Sequence, residues 1–301
     1  MAILVTGAAG LIGRAAVAAL LRQDVEHVRA VVRQPAQVSG LRRLGAKVAL
    51  LDATDPDGLA AAMDGVFTAC SLTGSLWSRP GEDPYAAVVE PARVFLAAAG
   101  AAGVRRVVVC TPAAVALAEG RSNPHLAAKA EVERMVAASG LEHAVLRCTH
   151  VLGPGGRLVD LLTGAGAGSG AAPVTVPGDG RQRVAPVWVG DVAAAIAAAD
   201  DAVELAATWS LAGPDRLALD DLVDALHGGP VAKRHLDGAA GAGRSGDPPA
   251  ALTAAQLEVL AADSLPDPGL AAPPGLVPTT VAVAAARIAA AAEQPGGTAG
   301  G

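Results

Sequence analysis

The sequence predicts an α/β fold, a doubly wound parallel sheet with a smaller C-terminal lobe. Short runs rich in valine and leucine alternate with longer alanine-rich stretches over the first half of the chain, which is typical of repeated β-α units. Each run is apolar on both faces of its alternation, as expected of strands that helices cover on both sides. A glycine-rich turn lies at the first predicted strand-to-helix junction. Together these features predict parallel strands joined by right-handed crossovers.

Six strands and five helices are predicted in strict alternation up to residue 147. The predicted strands are 2–6, 28–32, 47–51, 66–72, 104–111 and 141–147. The predicted helices are 11–22, 36–44, 57–63, 84–102 and 124–139. The fourth helix has Pro84 near its start and Gly103 just past its end, and this asymmetry is common in α-helices.

The pattern changes after residue 147. Residues 153–180 are rich in glycine and proline and are predicted as a mobile loop or cover. Segments 183–189, 191–199 and 208–211 are predicted to return to the sheet as strand, helix and strand, with Asp191 as the helix N-cap. Short amphipathic helices are expected at 219–226 and 253–260, linkers at 238–250 and 266–278, and a flexible tail at 294–301. The predicted sheet domain is therefore 1–155 with returning segments at about 183–213, and the smaller substrate-binding lobe is 156–182 with 214–293.

Composition excludes several classes of protein. With 52% hydrophobic and 17% charged residues among 301, the chain has ample material for a core. A net charge of −6 and no basic cluster argue against nucleic acid as a partner. The longest uncharged stretch, 161–178, is interrupted by glycine and proline and does not predict a membrane span. The N-terminus lacks the basic segment of a signal peptide, so we expect a cytoplasmic protein without a membrane partner.

No metal site or hydrolase site is predicted. The histidines are scattered, and no carboxylate pair has ligand spacing. No Gly-x-Ser-x-Gly elbow is present. The three cysteines, Cys70, Cys110 and Cys148, have no C-x-x-C spacing and lie in apolar runs, so we interpret them as buried free thiols in a reducing compartment.

The glycine-rich turn is the strongest local signal. The segment 6–13 reads Thr-Gly-Ala-Ala-Gly-Leu-Ile-Gly. Gly7 permits a tight turn, Gly10 lets the backbone approach a pyrophosphate, and Gly13 allows the helix to pack closely on the strand. The free amides at the helix start then hold the anion. This predicts a Rossmann dinucleotide-binding domain at residues 1–155.

The end of the second strand indicates which dinucleotide is preferred. Proteins that prefer NAD usually place an acidic residue there for the ribose 2′-hydroxyl. This chain has Arg33, and no Asp or Glu follows until Asp52. Because a guanidinium suits a phosphate, Arg33, assisted by Arg14, favours NADP(H) over NAD(H). Asp52, at the end of the third strand, is expected to face the adenine.

Several segments together resemble the short-chain dehydrogenase/reductase superfamily. They are the turn at 6–13, Asp-Ala-Thr-Asp at 52–55, 101–111, Arg-Cys-Thr-His-Val-Leu-Gly-Pro-Gly at 147–155 and Pro-Val-Trp-Val-Gly-Asp-Val-Ala at 186–193. The resemblance is to the atypical, NmrA-like branch, with features of extended sugar-nucleotide epimerases. It covers residues 1 to about 225 and implies a pyridine nucleotide cofactor.

The resemblance implies three catalytic positions. The family's reductases use a Ser or Thr, a Tyr and a Lys, with the Tyr four residues before the Lys. Here Lys129 matches the lysine, but His125 stands where the tyrosine is expected, and Thr111 or Cys110 matches the Ser/Thr. A histidine starts from a pKa of ~6.5 and could protonate an alkoxide, although positive charge from Lys129 would weaken it as an acid. Lys129 is expected to bind the nicotinamide ribose.

Other candidates follow the fourth and sixth strands. His150 is a second candidate proton donor, and Thr73 and Ser75 are expected to line the nicotinamide pocket. Trp188 and Trp209 are expected in the core, whereas Trp77 could shape a flat substrate pocket. The predicted catalytic residues are His125, Lys129, Thr111 and His150. The predicted cofactor contacts are Thr6, Gly7, Gly10, Leu11, Ile12, Gly13, Arg14, Arg33, Asp52, Ala53, Leu72, Thr73 and Lys129.

Three functions remain open at this level. The first is an NADPH-dependent ketoreductase for a small or aromatic carbonyl compound, acting as a monomer or homodimer. The second is a non-catalytic NADP-binding redox sensor, which the missing tyrosine favours. The third is a nucleotide-sugar epimerase, although the arginines available for a diphosphate, Arg157, Arg181 and Arg183, are scattered.

Overall fold

A seven-stranded parallel sheet forms the centre of the molecule. The computed structural model describes residues 2–23, 27–77, 83–117, 123–165, 173–202, 205–236 and 252–293. Across the sheet the strands are β3 (Lys47–Leu50), β2 (His27–Val32), β1 (Ala2–Thr6), β4 (Val66–Ser71), β5 (Arg106–Pro112), β6 (Glu142–Cys148) and β11 (Ala206–Leu211). The chain order reverses between β1 and β4, and ligands of doubly wound sheets bind at this switch point, outside the carboxyl ends of the strands.

Helices bury both faces of the sheet. On one face lie α1 (Leu11–Arg22), α2 (Val38–Leu44) and α7 (Val189–Asp201), which pack in a core with Val5, Val108 and Leu146. On the other face lie α3 (Pro56–Met63), α4 (Pro84–Ala101) and α5 (Pro124–Ala138), which pack around Leu4, Val107 and Phe95. The predicted doubly wound α/β fold is confirmed.

A smaller cluster of elements packs beyond the carboxyl ends of the strands. Its helices are α6 (Arg157–Thr163), α8 (Leu219–His227), α9 (Ala254–Leu260) and α10 (Val281–Ala292). Its strands are β8 (Val174–Pro177), parallel to β13 (Lys233–Leu236), and the short pairs β7 (Val151–Leu152) with β10 (Val187–Trp188) and β9 (Arg183–Val184) with β12 (Leu217–Ala218). Leu162, Leu222 and Val176 form the centre of its own apolar core.

Several predictions about this cluster were wrong. The segment 153–180 is not one loop, since α6 and β8 lie within it. The sequence analysis did not assign α10, β8 or β13. The predicted linker 266–278 holds no helix or strand, but the carbonyl of Ala271 accepts a hydrogen bond from Ser210 N on β11, so this segment is docked on the sheet. The predicted linker 238–250 and tail 294–301 lie outside the described residues.

Asp191 was predicted to be the N-cap of α7, and this prediction was wrong. The helix begins at Val189 after Trp188 in extended conformation, which places Asp191 within the first turn. Its carboxylate accepts hydrogen bonds from the backbone N (2.7 Å) and Oγ1 (2.9 Å) of Thr279. Asp191 therefore ties the segment before α10 to the sheet domain. None of the helices in the ranges given above is long and apolar enough to cross a membrane.

Candidate active site

The glycine-rich turn has the geometry expected of a phosphate-binding loop. Gly7 has a φ of +65°, and a Cβ there would lie 2.5 Å from the Leu72 carbonyl oxygen. A Cβ on Gly13 would lie 2.2 Å from Gly7 O, so this position requires glycine for α1 to approach β1. Gly10 immediately precedes α1, and a Cβ there would meet only Gly7 O, at 3.2 Å. The roles predicted for these glycines fit the backbone, and the turn leaves room for a pyrophosphate at the N-terminus of α1.

A cavity of about 460 Å³ extends from this turn along the carboxyl ends of β4, β5 and β6. Eleven of the predicted residues lie in its wall, namely Gly10, Leu11, Ile12, Gly13, Arg14, Leu72, Thr73, Thr111, His125, Lys129 and His150. Ser75 and Trp77 line it as well, whereas Trp188 and Trp209 do not. The cavity therefore brings together the predicted phosphate turn and all four predicted catalytic residues. Thr6, Gly7, Arg33, Asp52 and Ala53 lie outside its wall.

The start of α5 fixes the positions of His125 and Lys129. Asn123 is the N-cap, and its Oδ1 accepts hydrogen bonds from the backbone N of His125 and Leu126, both at 3.1 Å. One helical turn later, Lys129 Nζ donates to the carbonyl of Thr73 on the loop after β4, at 3.1 Å. Burial lowers the pKa of Lys129 to about 8, while the nearby Cys110 and Glu133 act in the opposite direction. Lys129 is therefore a cation whose proton is only weakly held near neutral pH.

Both histidines of the cavity are neutral at physiological pH. Burial, and then the charge of Lys129, lowers the pKa of His125 to about 4. Burial lowers the pKa of His150 to about 4 as well. Nδ1 of His125 and Nε2 of His150 are buried without a hydrogen-bond partner among the described residues. Such unpaired buried atoms are uncommon in folded proteins and mark positions where a ligand can supply the partner.

The Thr111 side chain is hydrogen-bonded to Glu133, a residue that was not predicted in the site. Its Oγ1 donates to Glu133 Oε1 at 2.6 Å. Arg147 holds the same carboxylate through Nε and Nη2, with Nη2 2.7 Å from Oε2, and its Nη1 donates to Asp267 at 2.9 Å. Glu133 follows Lys129 by four residues on α5, and this helical spacing was the available signal. In this structure the single Thr111 proton is given to Glu133, whereas the sequence analysis expected it to steady a substrate carbonyl.

The residues predicted to bind the adenosine half of the cofactor lie at the carboxyl ends of β2 and β3. Arg33 is exposed one residue past β2. Asp52 Oδ1 accepts from the backbone N and the hydroxyl of Thr54, and these bonds, aided by the charge of Arg33, hold the pKa of Asp52 below its usual range. The two predicted residues are therefore near each other, and the Arg33 side chain is exposed to solvent.

Apolar side chains form part of the cavity wall. They include Leu76, Trp77, Leu158, Val259 and Leu260, from the loop after β4, α6 and α9. The guanidinium of Arg157 lies 5.4 Å from the Trp77 ring centroid, a cation–π contact that joins two of these segments.

The C-terminal part of the chain also reaches the cavity. Asp263 and Ser264 line it, and Ser264 Oγ accepts a hydrogen bond from the backbone N of His150 at 3.0 Å. No sequence signal identified these two residues, because they lie in a stretch that resembles no motif of the family.

Comparisons with solved structures agree with this geometry. The triphenylmethane reductase of Citrobacter sp., complexed with NADP(H), has a TM-score of 0.75 at 19% identity, covering 96% of this chain and all of that one. The Escherichia coli NADPH-dependent quinone oxidoreductase, complexed with NADPH, has a TM-score of 0.70 at 22% identity, covering 95% and 99%. The UDP-glucuronic acid 4-epimerase of Bacillus cereus has a TM-score of 0.66 at 18% identity, covering 79% and 86%.

At these identities the similarity shows the fold, which reductases and nucleotide-sugar epimerases share. Comparison with curated protein sequences found no match. A model of the NAD(P)H-binding family matches residues 7–175, which include the glycine-rich turn and every predicted catalytic residue. The expectation of a pyridine nucleotide cofactor is confirmed at this level. The chain belongs to the NAD(P)H-binding family.

Proposed function

We propose that this protein is an NADPH-dependent reductase that adds hydride to the carbonyl carbon of a small or aromatic substrate without a catalytic tyrosine. The observation that carries the proposal is that the phosphate turn, Lys129, His125, His150 and a group of apolar side chains line one cavity. We place the protein in the cytoplasm, as a monomer or homodimer.

The residues around the cavity fit a dinucleotide. The first turn of α1, which follows Gly10, has backbone amides without an intrahelical partner that can bind the pyrophosphate, and Arg33 supports the 2′-phosphate that distinguishes NADPH from NADH. Lys129, held by Thr73 O, has donors left for the ribose hydroxyls. When bound, the cofactor supplies the hydride, and the orientation is the contribution of the protein.

Lys129 is the group best able to complete the reduction with a proton. An efficient general acid has a pKa near the working pH, and that of Lys129 is about 8. With pKa values of about 4, His125 and His150 carry no extra proton at neutral pH. Their role in this proposal is to hydrogen-bond the substrate, since a neutral imidazole has one N–H donor and one acceptor. Hydride addition at carbon and proton transfer to oxygen give the alcohol and the oxidised cofactor.

Two measurements test this proposal. Fluorescence titration with NADPH and NADH should show tighter binding of NADPH, and equal affinity would contradict the role given to Arg33. Oxidation of NADPH, followed at 340 nm over a panel of ketones and quinones, should show turnover for aromatic members of the panel. If NADPH binds but is not oxidised with any compound of the panel, the enzymatic proposal is wrong.

One observation favours a second candidate, a non-catalytic NADP-binding redox sensor. The position where the family's tyrosine is expected holds a neutral histidine whose Nδ1 has no hydrogen-bond partner among the described residues, so no ordinary phenol-type donor is present there. The sensor differs from the enzyme in binding NADPH and NADP⁺ with different affinity while turning over neither. Titration with both redox forms, beside the substrate panel, separates the two candidates.

A further inference from the structure

Thr111 lines the cavity, and its hydroxyl proton is donated to Glu133. Glu133 is ion-paired with Arg147 through two guanidinium nitrogens, and an ion-paired carboxylate accepts hydrogen bonds only. The bond of 2.6 Å from Thr111 to Glu133 must therefore use the Thr111 proton, and its length is that of a charge-assisted bond. What Thr111 offers to the cavity is an oxygen that accepts.

The donors of the cavity lie elsewhere. Lys129 uses one of its three N–H groups on Thr73 O, and each neutral imidazole of His125 and His150 carries one N–H. A carbonyl oxygen only accepts hydrogen bonds, so it can be bound by the N–H groups of Lys129, His125 and His150. It cannot be bound by Thr111, whose oxygen has no proton left to donate. A hydroxyl group fits at Thr111, because it brings the proton that this position lacks.

We propose that the Thr111–Glu133 pair selects a carbonyl substrate that also carries a hydroxyl group, with that hydroxyl donating to Thr111 Oγ1. The inference rests on the proposed carbonyl reductase function and narrows its substrate class to hydroxyketones with an apolar, aromatic body. Glu133 acts as a positioning residue here, since it contacts Thr111 rather than the substrate. Arg147 fixes Glu133 in turn, and Asp267 fixes Arg147.

The first test compares acetophenone with 2-hydroxy-1-phenylethanone and with the three ring-hydroxylated acetophenones, as substrates of the full chain with NADPH. One hydrogen bond corresponds to a preference of about tenfold in kcat/KM. We expect this preference for at least one hydroxylated ketone. If all five compounds are turned over and every hydroxylated ketone has a kcat/KM within about twofold of that of acetophenone, the inference is wrong. The reductase proposal would then still stand. No turnover of any of them, with no turnover of other ketones or quinones, would remove the reductase proposal itself.

The second test removes the acceptor. Thr111→Val keeps the side-chain shape and deletes the oxygen, so the hydroxyl preference should fall to about one, whereas Thr111→Ser should retain it. The ratio of two substrates on one variant is insensitive to the fraction of protein that folds, which keeps the test valid if the variant is less stable. If Thr111→Val weakens NADPH binding about tenfold and leaves the substrate ratio unchanged, Thr111 serves the cofactor and the inference is wrong.

The third test examines Glu133. Glu133→Leu frees the Thr111 proton, so that Thr111 can donate to a carbonyl, and the ratio should shift towards the unsubstituted ketone. Glu133→Gln retains an acceptor for Thr111 and should rescue most of the preference. Glu131→Leu is a matched control on the same helix, because Glu131 pairs with Arg134 on the surface. A purely structural role of Glu133 would lower stability and kcat/KM for all substrates equally.

Discussion

Raising the pH from 7 to 9 should remove the proton from most Lys129 side chains and lower the rate of reduction accordingly. With a pKa of about 8, the ammonium form makes up about nine-tenths of the protein at pH 7, about half at pH 8 and about one-tenth at pH 9. If the protonated form is the one that reacts, kcat/KM falls about tenfold across this range, and log kcat/KM approaches a slope of −1.

The assay is NADPH oxidation with one reactive ketone at six pH values, together with the Kd of NADPH at each pH. Lys129→Arg keeps a positive charge that does not titrate in this range, so its lower activity should be independent of pH. Lys47→Arg, at an exposed position on β3, is the matched control and should keep the wild-type profile.

The charges that set the pKa of Lys129 give a second test. Because the charge of Glu133 raises the pKa of Lys129, Glu133→Gln should move the falling limb of the profile to lower pH. A profile that stays flat to pH 9.5, or a limb that persists unchanged in Lys129→Arg, would refute the assignment of the proton to Lys129.

The remaining predictions concern the cofactor, the fold and acid stability. Arg33→Ala should raise the Kd of NADPH by about 10- to 100-fold and that of NADH less than twofold, because a lost hydrogen bond to a charged group costs about 1.5–3 kcal/mol; fluorescence titration measures both. Gly13→Ala places a Cβ 2.2 Å from a backbone oxygen, which α1 can relieve only by moving off β1, so calorimetry should show at least ~10-fold weaker binding of either nucleotide. Arg106→Met should lower the free energy of unfolding in urea by at least ~3 kcal/mol, because this 1% exposed side chain donates hydrogen bonds to three backbone carbonyls at the end of α7, and each would lose that donor. The free energy of unfolding should fall as the pH drops from 6.5 to 4. His125 and His150 bind protons in the unfolded chain over this range, but not in the folded chain, where their pKa values are about 4. The melting temperatures at pH 7 and pH 5 should therefore differ less in the His125→Phe variant than in the wild type.

Each of these predictions has a matched control. Arg22→Ala removes an arginine at the far end of α1 and should leave both Kd values unchanged. Gly100→Ala adds a Cβ to open space in α4 and should be neutral. Arg105→Met alters the exposed neighbour of Arg106 and should cost less than ~1 kcal/mol. His27→Phe removes an exposed histidine outside the cavity and is the control for His125→Phe. Equal effects in variant and control would contradict the corresponding argument.

The sheet and the phosphate turn could be predicted because they depend on local properties of the chain. Buried parallel strands need continuous apolar runs, and each crossover needs a helix, so the alternation of the two is visible in the sequence. Gly13 is required by a backbone contact within the turn, and Gly7 has a positive φ that favours glycine whatever its neighbours. For the same reason His125 and Lys129 could be placed on one helical face from their spacing.

The wrong and missing predictions have a different origin. Asp191 has the residue type and position of an N-cap, but its carboxylate is used by Thr279, 88 residues away. The helix α10 has only alanine, valine and isoleucine with a single arginine, so it shows little amphipathic contrast in sequence. It is positioned by contacts with α8 and by Asp215, which accepts a hydrogen bond from Val281 N.

The sequence by itself determined the class of fold and the position of the glycine-rich turn, because the alternation of apolar runs with helices and the geometry of a turn follow from short-range patterns. Only the tertiary structure decided the chemical state of the residues in the cavity. Thr111 became an acceptor when Glu133 and Arg147 met beside it, and Lys129 and the two histidines acquired their lowered pKa values from burial in one cavity. Protonation and hydrogen-bond direction depend on all the groups around an atom, and the chain brings those groups together from distant segments only when it folds.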